Sequence, residues 1–406
     1  MLALVALGVL LVPLPVALIA AGALATAIYI DARSVRESPE VTRSLPQILS
    51  RGVSSRFGVE VATSDARSLT LVQGSSPDLV VTPRESQGSF EGTVQPRRRG
   101  RHTLPALAER SQGPLGLGRW HHQVTEPAEV LVYPDLPAAR RIAQAVRQGR
   151  FRESGRIQRG PLGLGTDFEA IRDYLPDDDI RQVNWQATSR AGRPMSNTYR
   201  VEQDRDVMCV VDSGRLMGAP MIDRTRLDVA LDAVATVAAV ADVVGDRCGT
   251  LAFDAKVLRE VAPRRAGGTL VVRALFDLEP SGIDSDYELA FRSVSGGKRS
   301  LMFVFTDLLE EAAARPLVEA VPVIARRHVV MIATAADPDL DALMNTEPGS
   351  ERDVYGMSVA LDVLNARRRV VAQLRGAGAE VIEAEPARLG AACVAAYLRA
   401  KSRARL

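Results

Sequence analysis

The densest group of chemically capable side chains lies between Gly165 and Arg190, in the segment GTDFEAIRDYLPDDDIRQVNWQATSR. Arg172, Arg181 and Arg190 alternate there with Asp173, Asp177, Asp178 and Asp179. That alternation suits bidentate ion pairs, in which a guanidinium fork meets both oxygens of a carboxylate. Tyr174, Asn184 and Trp185 stand among them. Two uses fit these residue types. The ion pairs could fasten an irregular strap across a folded domain, with Trp185 anchoring it by burial, or the segment could be a partner-docking surface, since arginine and tryptophan concentrate at hot spots. Neither requires catalysis.

The residues that ordinarily do catalysis are badly spaced for it. His121 and His122 are adjacent and point to opposite sides of a strand, and His102 and His328 are isolated, so no metal centre is expected from them. Cys209, Cys248 and Cys393 are an odd number in apolar stretches and read as core residues in a reducing compartment. No Gly-x-Ser-x-Gly elbow or Cys/His pair is present, which argues against an enzyme and leaves a cell-envelope hydrolase as the weaker alternative. The hexapeptide GPLGLG occurs at 113–118 and again at 160–165, but neither copy joins an apolar strand to a helix, so both read as turns. GGKRS at 296–300 has Arg299 at the Ser/Thr position of a phosphate loop, and no nucleotide or other cofactor is expected.

Four regions must position these residues. Residues 2–30 carry no charge, a run longer than the roughly 20 residues that span a bilayer as helix. There is no basic n-region and no small-residue cleavage site at Tyr29, Ile30 and Asp31, so residues 1–31 read as a transmembrane anchor. Pro13 and Pro15 allow one kinked helix or a tight hairpin. Arg33, Arg36 and Arg43 follow, placing the remainder in the cytoplasm by the positive-inside rule. Residues 40–136 show short β-branched runs (59–63, 68–72, 78–82, 90–94, 128–133) separated by turn residues, which suggests a small antiparallel β-sandwich. Residues 137–204 hold a basic linker helix followed by the polar signature. Arginines 140, 141, 147, 150, 152, 156 and 159 form either a solvated face or a contact with the anionic inner leaflet.

Residues 205–406 alternate apolar strands (207–212, 249–254, 301–307, 329–334, 379–384) with helical segments at 227–245, 308–326 and 355–375. Unbroken apolar strands mean a sheet covered on both faces, and the alternation predicts a doubly wound, mostly parallel α/β domain. Asp212 ends the first of these strands. The 51 Lys and Arg against 49 Asp and Glu leave no global field for a nucleic-acid partner.

Gly165, Phe168, Arg172, Tyr174, Asp178, Asp179, Arg181, Asn184, Trp185 and Arg190 follow the pattern G-x-E-F, R-x-Y-x-x-G-D-D, R-x-I-N-W, small residue and Arg. The segment thereby resembles the hallmark of the bacterial domain of unknown function 58 family. Asp167 departs from the usual Glu, and Asp177 from the glycine before the acidic pair. RRGRHTL, PLGLGRW, the VYP at 132–134, and the end from Asn365 through LRGAGAEVIEAEP to YLRAKSRARL extend the resemblance over most of the chain.

The resemblance implies a von Willebrand factor A-like domain and a MoxR-type AAA+ ATPase as partner, in assembling or activating other proteins. It also implies a Mg²⁺ site built from Asp-x-Ser-x-Ser, a threonine from a second loop and a later aspartate. Here the first motif reads Asp212, Ser213, Gly214, Arg215, Leu216, so both hydroxyl ligands are missing. Asp307 matches the later aspartate, and Asp284, Ser285 or Asp286 could replace the threonine. With the usual strand order Asp212 and Asp307 would face one crevice. They would then either hold a hydrated Mg²⁺ weakly or cap helix N-termini. The function expected is a membrane-anchored, non-enzymatic interaction protein, with a structural envelope scaffold as a further alternative.

Overall fold

From residue 14 onward the uncharged N-terminal run lies in a helix, α1 (Leu14–Ser34), whose side chains are almost all exposed. Pro15 sits in its first turn, where the missing N–H costs nothing. The apolar stretch is long enough to cross a membrane, with a mean hydropathy of 1.7 over Pro15–Ser34. The computed structural model describes residues 14–62, 68–153, 156–157, 167–175, 178, 180, 183–200, 205–294, 296, 298–308 and 311–402. Pro13, Asp177, Asp179, Arg181 and the second GPLGLG copy lie outside the described residues.

The chain divides into two compact units, Met1–Val132 and Tyr133–Leu406. Beyond α1 the first is made of short strands: β1 (Val41–Ser44), β2 (Ile48–Ser50), β3 (Ser55–Val61), β4 (Ser68–Gln73), β5 (Leu79–Thr82), β6 (Glu85–Gln87), β7 (Phe90–Pro96), β8 (Gly100–Leu104), β9 (Leu107–Gln112), β10 (Arg119–Gln123) and β11 (Ala128–Tyr133). They form sheets ordered β1-β3-β7-β5, β10-β9-β4-β6 and β2-β11-β8, the first two antiparallel throughout. β7 and β9 alternate buried and exposed residues, the period expected when one face of a strand packs inward. Their inward residues join one core that includes Leu71, Val94, Leu104, Leu107, Val130 and Val132.

The second unit opens with α2 (Leu136–Arg147), which Asp135 caps by accepting the Ala138 N–H. Its arginines face solvent, while Ala139, Ala143 and Val146 are buried in the α/β core, so the α2 part of the basic stretch is amphipathic and packed on one side. Next come β12 (Arg152–Glu153), β13 (Arg156–Ile157), β14 (Asp167–Asp173), α3 (Trp185–Ala191) and β15 (Met195–Arg200), with β14 and β15 paired antiparallel.

The remaining elements are β16 (Asp206–Asp212), a hairpin of β17 (Pro220–Met221) and β18 (Arg224–Thr225), α4 (Arg226–Val244), β19 (Arg247–Phe253), β20 (Val257–Arg264), α5 (Gly268–Leu275), α6 (Tyr287–Val294), β21 (Ser300–Phe305), α7 (Glu311–Ala325), β22 (Val329–Ala335), α8 (Pro338–Asn345), α9 (Glu351–Gly376), β23 (Glu380–Ala384) and α10 (Leu389–Ser402). They build one six-stranded sheet ordered β20-β19-β16-β21-β22-β23. All its pairings are parallel except that of β20, an edge strand whose alternating, partly polar sequence gave no apolar run to read. The central strands are buried nearly throughout because helices cover both faces: α4, α5 and α10 on one, α6, α7 and α9 on the other. α4 starts with a Thr225–Asp228 capping box and ends at Gly245 with φ 87°, a conformation glycine adopts without strain.

The chain leaves β16 toward β19 on one side and returns as β21 on the other. The carboxyl ends of β16 and β21 therefore frame the switch point where doubly wound sheets form crevices.

Candidate functional site

Asp212 ends β16 at that switch point, buried, with every carboxylate oxygen engaged. Oδ1 accepts the Gly214 N–H at 2.8 Å and the Ser285 hydroxyl at 2.5 Å. Oδ2 lies 2.7 Å from both the Tyr287 and the Thr306 hydroxyls, which also lie 2.7 Å from each other. Two hydroxyls carry two protons, so all of Asp212's contacts are hydrogen bonds only when both protons are spent on it. Burial and the neighbouring Asp212 charge push the Tyr287 phenol well above its ordinary pKa, which keeps it a donor.

The loop before α6 supplies this arrangement. Ser281 N–H bonds to Ser213 O at 2.7 Å, Arg215 N–H to Ile283 O at 2.8 Å and Asp286 N–H to Asp254 O at 2.9 Å, closing the loop over residues 213–215. Of the three residues that could have replaced the threonine, Ser285 is the one that reaches Asp212. Asp284 instead pairs with Arg215 at 3.2 Å in solvent, and Asp286 accepts the Leu289 N–H in the first turn of α6.

Asp307 sits at the same edge with different partners. Its Oδ1 accepts the Leu308 N–H at 2.8 Å and Arg226 Nη1–H at 3.2 Å, while Arg226 Nη2 reaches Asp337 Oδ2 at 2.6 Å. Arg226, at the start of α4, is buried, so the pair is shielded from water. Burial raises the Asp307 pKa, the charges of Arg226 and Arg367 and the Leu308 N–H oppose the shift, and Asp212 adds to it. The two aspartates thus interact through space, and the Thr306 hydroxyl at 2.7 Å from Asp212 Oδ2 also lies 3.5 Å from the Asp307 backbone carbonyl. Asp212 closes an Asx-type turn through Gly214 N–H and Asp307 holds the residue after it; the long helix α4 is capped by Thr225.

This donor set does not fit the Mg²⁺ of the motif. An octahedral ion needs open oxygen ligands, whereas the oxygens of Asp212 face protein donors, Asp307 faces a guanidinium, and Gly214 and Leu216 offer no side-chain oxygen. A Cβ on Gly214 would fall 2.2 Å from Ser285 Oγ, so that serine stands where a side chain at position 214 would go.

The polar signature is a second cluster. Arg172 makes the expected bidentate pair with Asp178, at 2.8 and 2.6 Å, and this holds Asp178 below its ordinary pKa. Tyr174 donates to Asp178 O at 3.0 Å and Leu175 N–H to Asp178 Oδ2 at 2.8 Å, so the pair clips the turn after β14. Asn184 caps α3 through Ala187 N–H at 2.9 Å and donates to Asn197 Oδ1 at 2.8 Å. Trp185, expected to anchor the strap by burial, is 71% exposed instead, because the first helical position after the Asn184 cap points its side chain to solvent. Arg190 is also exposed, in the last turn of α3, and Asp179 and Arg181 lie outside the described residues.

Tyr287, Thr306, Arg226 and Asp337 were not singled out in the sequence. One signal was available: a carboxylate ending a fully apolar strand must find donors, and Thr306 adjoins Asp307 in the same strand end.

The model of the family described as "Protein of unknown function DUF58" matches residues 170–369, from within β14 into α9. Two relatives, uncharacterized protein Rv1480 of Mycobacterium tuberculosis and uncharacterized protein Mb1516 of Mycobacterium bovis, are each 25% identical over 275 residues, covering 61% of this chain and 84% of theirs. A solved variant of the SrpA adhesin from Streptococcus sanguinis matches 25% of this chain and 62% of its own, at 13% identity and a TM-score of 0.17, too low to bear on the fold.

Proposed function

The chain belongs, through residues 170–369, to the DUF58 family, and from that premise we propose that it is a membrane-anchored, non-enzymatic interaction protein. It engages a MoxR-type AAA+ ATPase on the cytoplasmic side and acts with it in assembling or activating other proteins. α1 is the anchor, and Arg33, Arg36 and Arg43 favour a cytoplasmic soluble part. We read the second unit as von Willebrand factor A-like, a reading supported by the order β20-β19-β16-β21-β22-β23 with one antiparallel edge. The antiparallel sheets of the first unit support a small β-sandwich.

One observation carries the docking face. Ile222, at the tip of the hairpin joining β16 to α4, has φ 59° and is 73% exposed. A β-branched residue at positive φ is strained, and an apolar side chain in water gains nothing that offsets the strain. Contact with a partner supplies the missing gain. Ile283, on the loop over Gly214, is exposed as well, and the Arg215–Asp284 pair adds a polar rim. The saturated bonding of Asp212 supports a face that works without tightly bound metal.

The test is recovery of the AAA+ ATPase on the detergent-solubilised full chain, comparing wild type with Ile222→Asp, Ile283→Asp and Trp185→Ala. The isoleucine variants are expected to lose the ATPase. Equal recovery from all of them would remove the assignment.

A further inference from the structure

The turn between β9 and β10 is the first copy of the repeated hexapeptide, Gly113–Gly118, and it grips the end of α1. The buried Asp31 carboxylate accepts Leu115 N–H on Oδ1 at 2.7 Å and the Leu117 and Gly118 N–H groups on Oδ2 at 2.8 Å each. Two of the glycines are required for this approach. A Cβ on Gly113 would lie 2.4 Å from Asp31 Cγ, and one on Gly118 would lie 2.4 Å from Ala32 N. One turn further along the chain, His122 Nε2 is 3.3 Å from Val35 O and the Arg36 guanidinium stands 6.0 Å from the Trp120 ring.

Because the backbone of the turn faces the helix, its leucines face away. Leu115 is 60% exposed, Leu117 46% and Trp120 38%. Asp31 is the first charged residue after the apolar run, so the turn is fastened at the depth where α1 leaves the hydrocarbon. Tyr29 and Ile30 are exposed at the same level. Arg33, Arg36 and Arg119 are exposed just beyond.

We propose that the Pro114–Leu117 turn is a second membrane contact, in which Leu115 and Leu117 enter the bilayer surface beside α1 and Trp120 lies at headgroup level. The occupant of this apolar patch is the lipid of the bilayer that α1 spans, since the turn is bonded to Asp31, the residue that directly follows the exposed apolar Tyr29 and Ile30 of the helix. Tryptophan at the interface and arginines toward anionic headgroups are the residue types that such a contact uses. The inference rests on α1 being a membrane anchor. It adds a fixed posture, with the β-rich unit held to the bilayer at two points.

The test uses the full chain carrying Trp120→Phe, Trp185→Phe and Leu115→Trp, so that a single tryptophan reports the turn. The protein is reconstituted into phosphatidylcholine–phosphatidylglycerol vesicles with and without brominated acyl chains. Bromolipid is expected to remove most of the emission and the emission maximum to shift to the blue. Unquenched, water-like emission from protein that survives alkaline carbonate washing overturns the inference and leaves the anchor standing. Release of the protein by carbonate overturns both. Leu115 is exposed, so its replacement leaves the core intact, and quenching of Trp120 in the chain carrying only Trp185→Phe gives an independent reading.

Discussion

Gly214 and Ser285 share one space: the methyl group that position 214 lacks would fall 2.2 Å from the Ser285 hydroxyl that bonds to Asp212. Restoring the motif's serine should therefore harm the fold. Gly214→Ser is expected to cost roughly 1–3 kcal/mol through overpacking, and Ser285→Gly a similar amount through the lost bond to a buried carboxylate. In the double variant the new hydroxyl can replace the old one, so the two costs should fall short of additivity by about 1 kcal/mol or more. Thermal melts of the detergent-solubilised chain measure this. Strictly additive costs would mean that the two residues do not compete.

The same bonding predicts the response to metal. An ion binding only the folded chain would stabilise it by about 2.7 kcal/mol at a hundredfold excess over its dissociation constant. Because such an ion must first displace the Ser285, Tyr287 and Thr306 hydroxyls from Asp212, micromolar Mg²⁺ should leave the melting temperature unchanged. A rise with added Mg²⁺ that disappears in Asp212→Asn would refute the metal-free reading.

How much of this was legible follows from what each feature needs. β16, β21 and β22 are buried on both faces, so their runs of apolar residues marked them as strands, and Asp212 and Asp307 stood out as the first charges after such runs. β20 alternates at a sheet edge, and α5 and α6 are eight residues each, too short for a helical period to emerge. Partners of Asp212 come from residues 285, 287 and 306, distances along the chain that only the fold can close. The Arg172–Asp178 pair was readable because both members lie in one short segment. Trp185 misled because a large aromatic suggests burial, whereas exposure was decided by a single turn of helix.

Asp307 gives a pH prediction. Burial raises its pKa in the folded chain above the ordinary 3.8, so between those values the folded state holds a proton that the unfolded state has released. Its contribution is present in full below the ordinary value and is lost as pH rises through the raised one. The stability of wild type minus that of Asp307→Asn should therefore fall with rising pH in the window above 3.8 and then level off. A difference that rises instead would mean that pairing with Arg226 outweighs burial.

In the strap, Arg172 holds Asp178 with a two-pronged fork that lysine cannot reproduce. Both Arg172→Lys and Arg172→Ala should speed amide exchange at Leu175, whose N–H also bonds to Asp178, and leave global melting nearly unchanged because the pair is at the surface. Exchange at Leu175 as slow as in wild type would show that the turn does not depend on this pair.

The far end of the sheet carries a stricter dependence. Asp246, fully buried, takes Lys401 Nζ at 2.7 Å on Oδ1 and 2.6 Å on Oδ2, the Arg205 N–H at 3.1 Å on Oδ1, and the Tyr397 hydroxyl on Oδ2. Lys401 and Tyr397 are both on α10, so this one carboxylate moors the last helix to the residue before β19. Lys401→Met removes the cation and strands the buried anion, a change that costs roughly 3–5 kcal/mol in comparable pairs. Adding Asp246→Asn removes the stranded charge, keeps a carbonyl oxygen for the Arg205 N–H and turns an amide N–H toward the Tyr397 hydroxyl, which can accept it, so the double variant should recover most of that loss. Chemical denaturation of the full chain in detergent compares the three proteins. If Lys401→Met melts like wild type, or if the double variant is no more stable than the single one, the mooring of α10 does not lie in this ion pair.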